Sequence, residues 1–204
     1  RKAWRCIRFQ GNINPLRINP FPMKIKPHPA KKKKAPRKIT ADYLHNAGLH
    51  YLQRFAASSA QFRKVMMRKV ARSCAHHTDQ DKEACARLVD ALVEKFRASG
   101  LLNDELYTRG MVHSLRRAGK SRQAITAKMQ AKGIGKSGTA AALTVCDEEN
   151  HADTAEAERA AAQTLVRKKK LRDRPPQKAL AALARAGFSY DVAKEALDVE
   201  LEDL

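Results

Sequence analysis

From Thr40 onward, apolar residues recur at intervals of three and four, the spacing that lines them along one face of an α-helix. The pattern is clearest around two glycines. About Gly133 the apolar positions are Ile125, Met129, Ile134, Ala142 and Leu143; about Gly187 they are Ala179, Leu183, Phe188, Ala196 and Leu197. Counted from each glycine the offsets are the same, −8, −4, +1, +9 and +10, and the glycines lie 54 residues apart. Each copy predicts a helix, a left-handed glycine that ends it, an apolar residue folded back onto the last turn, and a further helix. Ser189 is placed to cap that further helix in the second copy.

A less regular copy lies upstream. Ser58 and Gln61 form a capping-box pair, Phe62 and Met66 take the places of Ile125 and Met129, and Val70 stands where glycine is expected. A segment with His76 and His77 delays the next helix to about residues 82–98, which stops at Ser99-Gly100-Leu101. An amphipathic helix opens each unit, at about 41–56, 103–117 and 152–170; Asn103 caps the second, with Asp104 and Glu105 in its positive first turn. The prediction is all-α: nine helices in three tandem three-helix modules, at residues 40–99, 100–147 and 148–204. Modules of roughly 50 residues have little core of their own, so they are expected to stack into an elongated, curved body. Aromatics at 5% leave Leu, Ala, Val and Met to build that core, and β-branched runs are scarce.

Residues 1–39 read differently. Residues 1–38 hold six of the eight prolines and the run Lys31 to Lys34, which predicts a disordered basic tail. Met23 opens a more ordinary beginning, so residues 1–22 are expected to be an upstream extension or a cloning remnant. The tail holds 13 basic residues and no acidic one, the bulk of the net +20. Residues 39–99 carry 10 basic and 6 acidic, 100–146 carry 8 and 2, and 147–204 reverse the balance with 10 and 13. No apolar stretch approaches the roughly 20 residues of a membrane span, and no apolar export segment is visible, so a soluble, cytoplasmic monomer is expected.

Catalytic and metal-binding signatures are missing. Gly133-Ile134-Gly135-Lys136-Ser137 imitates a phosphate loop, but the required upstream glycine is Gln130 and a helix, not a strand, precedes it. The four cysteines form no C-x-x-C pair, and the 11-residue step from Cys74 to Cys85 around His76 and His77 fits no standard zinc site; a polar surface turn is expected there. His113 is expected to be exposed, and carboxylates to lie on solvated faces. No enzyme, cofactor or metal is predicted. What remains is a basic surface with almost no opposing acid. Its candidate binding residues are Arg63, Lys64, Arg68 and Lys69 in the first module, and Arg109, Arg116, Arg117, Lys120, Arg122, Lys128 and Lys132 in the second, with Lys136 beside them. Aligned into a stripe, they would suit a long polyanion or an acidic filament.

Several segments resemble the RecX family. Tyr51-Leu52-Gln53-Arg54 through Ser58, Ala60 and Phe62-Arg63 is similar to the start of the family's first module. Gly100 to Glu105, followed by Tyr107, Arg109, Val112 and Ser114, is similar to its second, and Lys132-Gly133-Ile134 and Arg185-Ala186-Gly187-Phe188 resemble its helix endings. The likeness spans about residues 41–198. Ala56 and Ala57, Lys128 and the missing first-module glycine depart from it. The resemblance implies a regulator without catalytic residues that docks in the groove of RecA–single-stranded-DNA filaments. There it would touch successive RecA subunits and limit filament growth, ATP hydrolysis, strand exchange and co-protease activity. Weak, salt-dependent binding of single-stranded, and possible double-stranded, DNA accompanies that expectation. A direct, non-specific DNA binder of helix-turn-helix type is the alternative. Against it stands the last helix, from Tyr190, with six acidic residues and one Lys194.

Overall fold

The computed structural model describes residues 35–151 and 153–198. Of the disordered tail expected at residues 1–39, residues 1–34 lie outside these residues, as do the question of residues 1–22 and the chain after Asp198; residues 35–39 are described and, contrary to that expectation, are held against the first module. Among the described residues there are no strands; nine α-helices and one 3-10 turn follow one another. They are α1 (Ala41–Leu52), α2 (Ser59–His76), α3 (Lys82–Ala98), α4 (Asp104–Arg117), α5 (Arg122–Ala131), α6 (Lys136–Asn150), α7 (Thr154–Lys169), α8 (Pro176–Arg185) and α9 (Tyr190–Leu197). The opening helix of each module is shorter than the amphipathic pattern suggested, most of all α1, which stops at Leu52.

Local signals set the boundaries. Thr40, Ser58, Asp81, Asn103, Ser121, Asp153 and Ser189 each accept a backbone N–H from the first turn of the helix they precede. α8 starts instead with Pro176, whose fixed φ suits a first helical position. At Gly133 and Gly187 φ is +80° and +85°. Ile134 N–H then reaches back to Met129 C=O and Phe188 N–H to Leu183 C=O, the Schellman closure expected of a glycine-apolar ending. Ala118-Gly119-Lys120 ends α4 in the same way, with Lys120 N–H on Leu115 C=O.

Three hydrophobic clusters correspond to the three modules. In the first, Phe62, Met66, Val70, Val89 and Phe96 are buried, and the Phe62 and Phe96 rings abut Gly48 so closely that a side chain on α1 there would collide with both. In the second, Val112, Ile125, Met129 and Leu143 are buried; in the third, Ala162, Leu171, Ala179 and Leu183. Nearly every position of the repeated sequence pattern is thus a core position.

The segment before α1 is also held. Ile39 is buried, its N–H donates to Gln80 Oε1 at 2.9 Å, and Gln80 Nε2 donates back to Ile39 C=O at 3.0 Å. The Ser73 hydroxyl donates to Arg37 C=O, and the His77 ring lies 2.9 Å from Pro36 O. The extra residues between α2 and α3 therefore clasp the lead-in to the first helix. Residues 74–85 are thus no polar surface turn throughout, since Cys85, in α3, lies in the core and Cys74, in α2, packs against it.

Candidate interaction surface

The modules meet through one joint used twice. The N-cap serine of a second helix keeps its cap and also donates its hydroxyl to the carbonyl before the helix-ending glycine of the next module. Ser58 reaches Lys132 C=O at 2.5 Å, and Ser121 reaches Ala186 C=O at 2.6 Å. The first N–H of the same helix donates to a carboxylate on the next module's opening helix: Ser59 to Asp104 at 2.7 Å, Arg122 to Glu158 at 3.1 Å. The glycines are needed here for space as well as for φ. A Cβ on Gly133 would fall against that of Ala60, and one on Gly187 would come within 2.8 Å of the Ser121 hydroxyl.

The second joint contains a charge cluster. Arg116, with only 8% of its side chain exposed, makes two parallel bonds to the buried Asp147, at 2.9 and 2.7 Å, and a third to Glu158 at 2.5 Å. Arg122 adds a contact to Asp147 at 3.2 Å. Burial alone would lower the Arg116 pKa; hydrogen bonds to Asp147 and Glu158 outweigh it and hold the guanidinium above its ordinary value. Beside it is a cavity of about 450 Å³ lined by His113, Arg117, Cys146 and His151. His113 is half-buried rather than exposed, with Nδ1 3.3 Å from Cys146 Sγ and Nε2 3.4 Å from Glu149. Burial, and then the charge of Asp147, push the Cys146 thiol above its usual value, which leaves it protonated and poorly nucleophilic. Among the described residues no three His, Cys, Asp or Glu side chains converge as a metal site.

This arrangement corrects the expectation of a basic face without opposing acid. Arg116 and Arg122 serve the joint. Arg63 is paired with Asp90 across α2 and α3, and Arg109 with Glu105 on its own helix. Asp147, unlike the carboxylates expected mainly on solvated faces, is 1% exposed. Lys64, Arg117, Lys120 and Lys128 are exposed and carry no ion pair among the described residues; Lys132 is half-buried beside the first joint. Arg68 and Lys69 line a groove of about 670 Å³ between the end of α1 and the outer face of α2, together with Arg54, Phe55 and Arg72. Sequence reasoning missed those three residues and the acids Asp147 and Glu158. The one available signal was Ser58 and Ser121, each standing four residues before the first apolar position of its module's second helix.

Known proteins share this sequence and fold. Residues 103–143 match the family model for the second three-helix domain of RecX. The "Regulatory protein RecX" of Myxococcus xanthus (strain DK1622) is 41% identical over 172 residues, covering 80% of this chain and 88% of the relative. That of Mycobacterium ulcerans (strain Agy99) is 37% identical over 120 residues, 55% of this chain and 65% of the relative. Two solved structures share the fold. One described as the crystal structure of regulatory protein RecX has a TM-score of 0.57 at 23% identity, over 78% of this chain and 72% of that one. RecX from Lactobacillus salivarius gives 0.55 at 21%, over 78% and 96%. No described helix is long and apolar enough to cross a membrane. With two-fifths of the aligned residues identical across most of both chains, the protein belongs to the RecX family of regulatory proteins.

Proposed function

We propose that this chain regulates RecA: it binds in the groove of RecA–single-stranded-DNA filaments and restrains ATP hydrolysis, strand exchange and co-protease activity, without catalysis of its own. The identity to a regulatory RecX protein over most of both chains carries the reading. Two features of this chain support it. The joints fix each module on the next through hydrogen bonds and an ion cluster, so the exposed cations are presented by a pre-organised body rather than by independent modules. Lys64, Arg68, Lys69, Arg117, Lys120 and Lys128 remain for an acidic partner once the paired arginines are set aside.

The test is RecA ATPase on single-stranded DNA with this protein at sub-stoichiometric amounts. Inhibition is expected; ATP hydrolysis unchanged while free DNA is bound would refute the reading and favour direct DNA binding. Reversing Arg117, Lys120 and Lys128 to glutamate should weaken inhibition and leave the helical content intact, because none of these side chains has an ion-pair partner to lose among the described residues. Inhibition that survives the triple change would place the RecA contact elsewhere.

A further inference from the structure

The groove between α1 and α2 combines an open ring with unpaired cations. Phe55 is 56% exposed, in the link between the two helices. Its backbone is nevertheless fixed, since its N–H donates to Tyr51 C=O at 3.0 Å. The ring lies 5.3 Å from Tyr51, which leans on Phe62 at 6.2 Å, which in turn meets Phe96 at 5.5 Å. A relay of rings thus runs from the core to the surface and holds Phe55 in place. Around it stand Arg54, from the turn that follows the first helix, and Arg68, Lys69 and Arg72, from the second helix. None of the four has an ion-pair partner among the described residues, and no acidic side chain lines the groove. Its volume of about 670 Å³ lies within the range of ligand sites.

We propose that this groove binds single-stranded nucleic acid, with an unpaired base stacked on Phe55 and the adjoining phosphates held by Arg54, Arg68, Lys69 and Arg72. An exposed, rigid ring offers a face to any unpaired base but cannot reach one inside a duplex, while the cations track the backbone. The groove's charge calls for an anionic occupant, and residues 1–34 hold 11 basic and no acidic residues. The groove would therefore distinguish unpaired from paired strands without reading sequence. The proposal does not depend on the RecA reading, because its test contains no RecA.

The experiment measures anisotropy of labelled oligothymidylate and of a duplex of equal length, each with the full chain and its variants. Phe55→Ala should weaken oligothymidylate binding about fivefold or more and change duplex binding by less than about twofold; Phe55→Trp should restore the single-strand affinity. Arg68→Gln with Lys69→Gln should weaken both and flatten the salt dependence by about 0.7 in log–log slope for each phosphate no longer held. Circular dichroism should match the parent throughout, since Phe55 and Arg68 are exposed and the half-buried Lys69 has no ion-pair partner to lose among the described residues. Unchanged single-strand affinity in Phe55→Ala, or an equal loss on duplex, would overturn the proposal. So would displacement of the oligonucleotide by polyglutamate with an equal dependence on Phe55, which would make the groove a site for acidic peptide.

Discussion

Gly133→Ala tests whether the modules are locked at the joint or merely adjacent. The substitution has two costs. At φ +80° an alanine is strained by about 1–2 kcal/mol wherever it sits. Its Cβ would also occupy the space of Ala60 Cβ on α2, so the joint must open. Forced overpacking of this kind costs about 1–3 kcal/mol. The Ser58 hydroxyl would then lose Lys132 C=O, worth about 1 kcal/mol more. The whole effect should be about 3–6 kcal/mol. Gly100→Ala supplies the control, because Gly100 has φ +74° and nothing within 4 Å of an added Cβ. It should lose only the strain. In thermal unfolding the Gly133 variant should therefore melt at least about 4–8 °C below the Gly100 variant, from a difference of about 2 kcal/mol or more. Ala60→Gly removes the atom that is struck, so in a double-mutant cycle it should recover about 1 kcal/mol or more of the loss. Equal melting of the two glycine variants, or no recovery with Ala60→Gly, would refute the tight joint.

The charge cluster and the caps make further predictions. Asp147→Ala leaves the buried Arg116 with Glu158 as its one carboxylate partner among the described residues and should cost about 3 kcal/mol in urea unfolding, whereas Asp90→Ala, which breaks an exposed pair, should cost less than about 1 kcal/mol. The Asp81 carboxyl is held below its ordinary value of 3.8 by the N–H groups of Ala84 and Glu83, and that of Asp90 by hydrogen bonding to Arg63. Both bind protons more weakly when folded. Their stabilising effect is therefore complete above the unfolded value and disappears as pH falls through the lower folded one. Melting temperature should drop below about pH 4, and Asp81→Ser, which keeps a cap without a charge, should reduce that drop; an equally steep acid limb in the variant would exclude the cap.

Within each module the sequence was legible because the forces are local. A cap serine, a C′ glycine and a three-four apolar spacing act within a turn or two, and Ile125, Met129, Ala179 and Leu183 fell on the core as read. The joints were not legible, because they pair residues 74 and 65 positions apart whose types already had a local explanation. Ser58 read as a cap and is one, and Ser121 caps α5 as well; the second hydrogen bond of each hydroxyl leaves no trace in spacing. Charge counting failed for the same reason. Residues 100–146 appear short of acid only when counted along the chain, since Arg116 finds one partner on α6 just past that boundary and another on α7. The groove at Phe55 escaped notice because α1 ends at Leu52, three residues before a ring that the helical pattern had assigned to it.

The two departures from the repeat have a common cause in the joint. Each joint needs a serine at the start of a second helix and a glycine at the end of the next module's second helix. The middle module supplies both, Ser121 to the module after it and Gly133 to the one before. The first module has none before it among the described residues. Where its glycine would stand is Val70, fully buried in its own core, and α2 continues to His76, where its residues help clasp the lead-in segment. The third module has no described helix after its own α9. Where its serine would stand is Pro175, which makes no side-chain cap and has no hydroxyl to offer. Irregularities that look like decay of a repeat are thus the two ends of the described array. Each lacks the half of the joint for which no described module stands opposite.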